Sequence, residues 1–140
     1  MNFYIINLFH LNASMLCQYI LEYGYPVYGV GINELGSFTS MEEDLWMAFG
    51  RNANLTYIPM ENFFVQKEIK KDAEIFYFPF EQEERNARFL SCLNKFENNI
   101  YYVQDHSNVN KEKLYLKGKI LEDDEESLKQ FFLDHIQFFI

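Results

Sequence analysis

Asp105-His106-Ser107 sets an acid, a base and a nucleophile in three consecutive positions. A relay of that kind needs three side chains converging on one point, and chain neighbours diverge, so the tripeptide alone builds no site. His10 could share acid–base work with His106 if the fold brought them together. His135 falls on the apolar face of a predicted last helix, where a hydrogen-bonded core or boundary imidazole is expected. Gly29-Val30-Gly31 invites a phosphate-loop reading, but the next glycine is Gly36 and no helix opens at Gly31. A dinucleotide fingerprint requires a strand-to-helix turn with phosphate on the helix N-terminus. These glycines read instead as turn residues at a strand end.

The carboxylates are the remaining candidates. Glu42-Glu43-Asp44 are consecutive on a predicted helix, so they point about 100° apart and make a poor single site. Glu81, Glu83 and Glu84 are read the same way, as helix-start acids. Glu122-Asp123-Asp124-Glu125-Glu126 lacks the alternating ligands and central glycine of a calcium loop. Cys17 and Cys92 are too few and too far apart for a disulfide framework or zinc motif, and buried reduced thiols are expected. No catalytic residue, metal ligand or cofactor-binding residue is therefore expected, and no enzyme activity.

Charge is distributed unevenly. The formal net charge is −9. Residues 1–50 carry five acids and no Lys or Arg, and residues 121–140 carry six acids against Lys129 alone, while the middle is nearly balanced. That sign argues against nucleic acid or an anionic membrane as partner, and permits a basic protein steered in by long-range attraction. Lys111, Lys113, Lys117 and Lys119 are the one basic concentration, and four lysines in an acidic chain read better as protection of an edge strand. Fifteen Phe and ten Tyr promise a packed core, with some tyrosines left for an interface. No apolar run approaches the roughly 20 residues of a membrane span, and the start lacks a signal peptide's features, so a cytoplasmic protein is expected.

These residues must be positioned by the elements around them. Phe3–Phe9, Val27–Ile32, Leu55–Ile58 and Ile100–Val103 read as strands, and Phe63–Ile69 with Ile75–Phe80 as an antiparallel hairpin. Alternation over Leu114, Leu116 and Ile120 marks another strand. Helices are predicted from Asn12 to Gly24, from a Ser40/Glu43 capping box to Gly50, over Glu81–Phe96, and from an Asp123 cap onward. Strand runs in the second half imply a single α+β domain over residues 1–140. Its sheet would be mixed or mainly antiparallel, with about four helices packed on it.

In size and charge style, with Glu42-Glu43-Asp44, Glu122 to Glu126 and a Tyr-rich remainder, the chain resembles small acidic bacterial immunity proteins of the contact-dependent growth-inhibition type. The resemblance implies a cytosolic protein without cofactor whose partner is a basic cognate toxin domain, a nuclease above all. The expected partner-binding residues are Glu42, Glu43, Asp44, Glu122, Asp123, Asp124, Glu125 and Glu126, with Tyr23, Tyr25 and Tyr28 as aromatic anchors. An adaptor or subunit-interaction protein, and a small enzyme with a His/carboxylate site, are the alternatives.

Overall fold

The computed structural model describes residues 1–67, 69–104 and 118–137. In chain order its elements are β1 (Asn2–Ile6), α1 (Leu11–Glu22), β2 (Val27–Gly31), α2 (Ser40–Phe49), β3 (Leu55–Pro59) and α3 (Met60–Phe64). Then follow β4 (Ala73–Tyr77), α4 (Glu83–Leu93), β5 (Ile100–Gln104), β6 (Lys119–Glu122) and α5 (Glu125–Gln137). The six strands form one sheet in the order β3-β2-β1-β4-β5-β6, and every pairing is parallel.

This overturns the expected α+β class. The sheet is neither mixed nor mainly antiparallel, and the architecture is α/β, with helices covering both faces. The physical reason is visible along β1 and β4, which are buried almost throughout. A strand buried on both faces reads as a continuous apolar run, and such strands belong to parallel sheets between helical layers. Phe3 and Ile5 enter one core with α1, α2 and α5, while Tyr4 and Ile6 enter the other with α3 and α4.

The predicted hairpin does not exist. Met60–Phe64 is a helical turn that buries Phe63, while Val65 points into solvent, so the apparent alternation never shared a face. Lys70-Lys71-Asp72 leads into β4, which pairs with β1 and β5. Of the strand expected around Leu114–Ile120, residues 114–117 lie outside the described residues. β6 begins at Lys119 and pairs with β5 at the sheet edge, largely exposed.

In a parallel sheet with helical crossovers, the first turn of each helix sits at the carboxyl edge of the strands. Here β1 has β2 on one side and β4 on the other, so the chain reverses its direction of travel across the sheet between β1 and β4. Folds of this order take ligands in the crevice at that reversal.

Candidate functional site

The crevice at the β1/β4 reversal is built from the turn between β1 and α1. Asn7 takes a left-handed conformation (φ 69°), which asparagine tolerates better than bulkier residues. Its amide donates to the carbonyl of Pro79 (3.1 Å), joining the end of β1 to the segment after β4. The backbone N–H groups of Asn7 and Leu8 both donate to the Val30 carbonyl, and that of His10 donates to the Asn7 carbonyl. The Ser14 hydroxyl donates to the Leu8 carbonyl at 2.7 Å.

Leu8 is fully buried over β2. A Cβ on Gly29 would come within 2.6 Å of the Leu8 side chain, and one on Gly31 would collide with the Tyr57 hydroxyl. The two glycines therefore lie inside β2, not in a turn, and make room for side chains. No glycine stands between β1 and α1, where a dinucleotide fold places them so that phosphate can approach the backbone.

The other wall of this edge is the β6–α5 connection. Asp123 accepts from the Asn12 amide at 2.7 Å and lies 3.3 Å from His10 Nε2. His10 also packs on the Phe78 ring. The Asp123 carboxylate thus holds the side chains of His10 and Asn12 at the start of α1, a position that favours negative charge because of the helix dipole. His10 Nδ1 is buried without a hydrogen-bond partner. With one nitrogen turned to Asp123 and the other buried, the imidazole presents neither to a substrate. His106 lies outside the described residues.

The second buried network sets the crevice's β4 side. Asn86 accepts from the Tyr77 hydroxyl and the Phe80 N–H (2.8 Å), and its amide donates to the Phe80 carbonyl (2.8 Å). It lies in the predicted helix, but its inward reach depends on where the turn before α4 folds back. Nothing in sequence order announces this.

The expected partner-binding residues divide sharply. Glu42 is only 8% exposed; its carboxylate accepts from Asn33 Nδ2 (2.9 Å) and the Thr39 N–H (2.9 Å). Thr39 and Glu42 form the capping box of α2, one residue earlier than the Ser40/Glu43 pair expected. Asp124, not Asp123, caps α5 through the Ser127 N–H (2.9 Å), which holds its carboxyl below the usual range. Glu125 pairs with Lys129 at 3.0 Å. Glu43, Asp44, Glu122 and Glu126 are exposed.

Topology does bring the two acidic runs to one edge, because Glu42–Asp44 start α2 and Glu122–Glu126 lead into α5. Apolar side chains lie at that edge too: Leu11 is 74% exposed, Leu35 57% and Met41 66%. Helical periodicity reads Leu11 and Met41 as core-facing, and the structure turns both to solvent instead. The tyrosines are elsewhere. Tyr23 follows the last turn of α1, and Tyr25 packs edge-on against Phe3 and Phe132, both at the opposite edge. Tyr28 stacks on Tyr4 in the other core layer, with Lys70 over its ring.

His135 lies 3.3 Å from Glu74, as a boundary histidine with a polar partner. Cys17 and Cys92 are free and buried, and burial pushes the Cys17 thiol up to about 12. Among the described residues no three His, Cys, Asp or Glu side chains gather to hold a metal ion. No described helix is long and apolar enough to cross a membrane.

No protein-family model matches the chain, and no curated protein matches its sequence. Among solved structures it is similar to the yeast methylglyoxal/isovaleraldehyde reductase Gre2 complexed with NADPH, at a TM-score of 0.59 and 11% identity. That match covers 87% of this chain and 53% of the reductase. It is also similar to Gre2 from Candida albicans in complex with NADPH, at a TM-score of 0.54 and 13% identity over 76% of this chain and 38% of that one. The chain thus spans about half the length of the first of these. The likeness shows the α/β fold and its parallel sheet, and the fold alone.

Proposed function

We propose that this chain is a protein-binding module that covers a basic partner with the carboxyl edge of its sheet, in the role of an immunity protein masking a toxin domain. The observation that carries this reading is the gathering of exposed acids at one edge. Glu43, Asp44, Glu122, Glu125 and Glu126 all sit there, with no Lys or Arg in residues 32–44 or 122–126. Exposed Leu11, Leu35 and Met41 share the edge. A basic surface approaching it meets charge first, which speeds association, and then apolar side chains whose desolvation slows release. A nuclease domain, which must expose Lys and Arg to hold phosphate, has the complementary surface.

The test is affinity capture from lysate at low salt with the wild-type chain and with Glu43, Asp44, Glu125 and Glu126 all changed to Lys. A basic protein retained by the first, released by salt and lost by the second is the expected result. Equal retention by both would remove the acidic edge from the mechanism.

A second reading, a dinucleotide-handling enzyme domain, draws on the likeness to NADPH-bound reductases and on one local feature: His10 gives α1 no side-chain cap. The residues present do not fit that cofactor. Leu8 fills the space over Gly29, Asn7 ties the turn to Pro79, and the Asp123 carboxylate would face the incoming pyrophosphate. Like charges meeting there would repel.

A further inference from the structure

We propose that the exposed apolar patch around the Phe9–Phe38 contact receives a basic amphipathic helix of the partner, whose apolar stripe seats on Leu11, Leu35 and Met41. This takes the basic-partner reading as its premise and names the element that such a partner must present.

The three exposed side chains come from separate elements, and one ring contact brings them together. Phe9 and Phe38 meet edge to face at 4.9 Å. Leu11 stands two residues after Phe9, while Leu35 and Met41 stand three residues before and after Phe38. Short runs of chain reach only so far, so the group lies within roughly 20 Å, about three to four turns of helix. Apolar side chains scattered singly over a surface are ordinary, but a cluster rimmed by polar groups marks an interaction surface.

Leu35 is also held in place. The Ser37 N–H donates to the Glu34 carbonyl (3.0 Å) and Gly36 takes a left-handed conformation (φ 89°), closing a tight turn that carries Leu35. Both ends of this loop are fixed. The Asn33 amide donates to Glu42 and its carbonyl accepts from the Tyr57 hydroxyl, while Phe38 packs on Trp46 and Tyr57. An apolar side chain on a fixed turn loses little freedom on binding, and the flexible Met41 beside it adapts to the shape it meets.

Charge and topology together select the occupant. Glu34, Glu43 and Asp44 are exposed near the patch, and residues 1–50 contain no Lys or Arg. The complementary surface therefore has an apolar centre flanked by cations. An added strand finds no ladder here, because β2 is already paired on both sides, with β1 and β3. A helix with apolar residues at i, i+3, i+4 and i+7 and Lys or Arg beside them meets both requirements.

The test uses a designed leucine–lysine peptide that forms an amphipathic helix, beside a scrambled peptide of the same composition that does not. Fluorescence anisotropy with the whole chain should show saturable, salt-weakened binding of the helix, and binding of the scrambled peptide at least about tenfold weaker. Leu35→Ser and Met41→Ser should each weaken the helix about fivefold or more, whereas Val65→Ser, exposed after α3 on the opposite layer, should change nothing. Equal binding of the two peptides overturns the helix assignment, as does wild-type binding by both Leu35→Ser and Met41→Ser. In either case the acidic edge stands if Glu43→Lys with Asp44→Lys still abolishes binding. Binding that this charge reversal leaves unchanged overturns the basic-partner reading and the helix assignment with it. The comparison of the two peptides needs no variant, so a variant that does not fold leaves the test intact.

Discussion

Replacing Glu42 with Ala should destabilise the fold by about 2.5 kcal/mol, whereas the same change at its neighbour Glu43 should stay within about 0.5 kcal/mol. The difference follows from where the two side chains go. Glu42 Oε1 accepts from the Thr39 N–H and from Asn33 Nδ2, both at 2.9 Å, in a nearly buried setting. Losing the return arm of a capping box costs about 1 kcal/mol, and a hydrogen bond to a charged group about 1.5 kcal/mol more. Asn33 would also lose the contact that holds the β2–α2 loop, whose carbonyl receives the Tyr57 hydroxyl. Urea unfolding followed by circular dichroism measures this directly, with the midpoint falling by roughly 1–2 M for Glu42→Ala. A loss below about 1 kcal/mol, or an equal loss for Glu43→Ala, would refute the division of this acidic run into a structural and a surplus part.

Other expectations follow from the same physics. Asn86→Leu leaves the Phe80 N–H, the Phe80 carbonyl and the Tyr77 hydroxyl without their partner, and should cost about 3 kcal/mol against about 1 kcal/mol for Tyr77→Phe in the same unfolding assay. Asp123→Ala should cost about 1–2 kcal/mol and speed amide exchange in the first turn of α1, because Asn12 and His10 lose their anchor. The Cys17 thiol, raised to about 12 from 9.0, should react with an alkylating reagent at pH 8 roughly a thousandfold more slowly in the native state than unfolded. The same shift fixes a sign: the unfolded chain ionises this thiol first, so its contribution favours unfolding as pH rises from about 9 to about 12.

Much of the secondary structure was legible in the residues, because helix periodicity and stop signals are local. Gly24 and Pro26 end α1 as read, and Gly50 follows α2. Strand direction was not legible. Buried runs such as Ile75 to Phe78 carry no alternation, and an apolar run says nothing about whether its neighbour is parallel. Phe63 and Val65 misled for the opposite reason, since two apolar residues two apart fit a strand and also one turn of helix. Caps slipped by one position at both Thr39 and Asp124, as they do when two capping residue types stand side by side.

The site was legible only in its charge. The two acidic runs are visible in the chain, and the parallel topology that gathers them at one edge is not. Asn7, His10, Asn12 and Asp123 act together across more than a hundred residues of sequence, with nothing local to link them. Glu74 carries no local signal, and only its place in the sheet reveals it as a buried carboxylate.

The most direct measurement is titration of the chain with NADPH followed by nicotinamide fluorescence. A β1–α1 turn filled by Leu8, tied down by Asn7 and faced by Asp123 predicts no saturable signal up to about 1 mM. Saturable micromolar binding, abolished by substitutions in that turn, would contradict the closed crevice and return the chain to the dinucleotide-binding use of its fold.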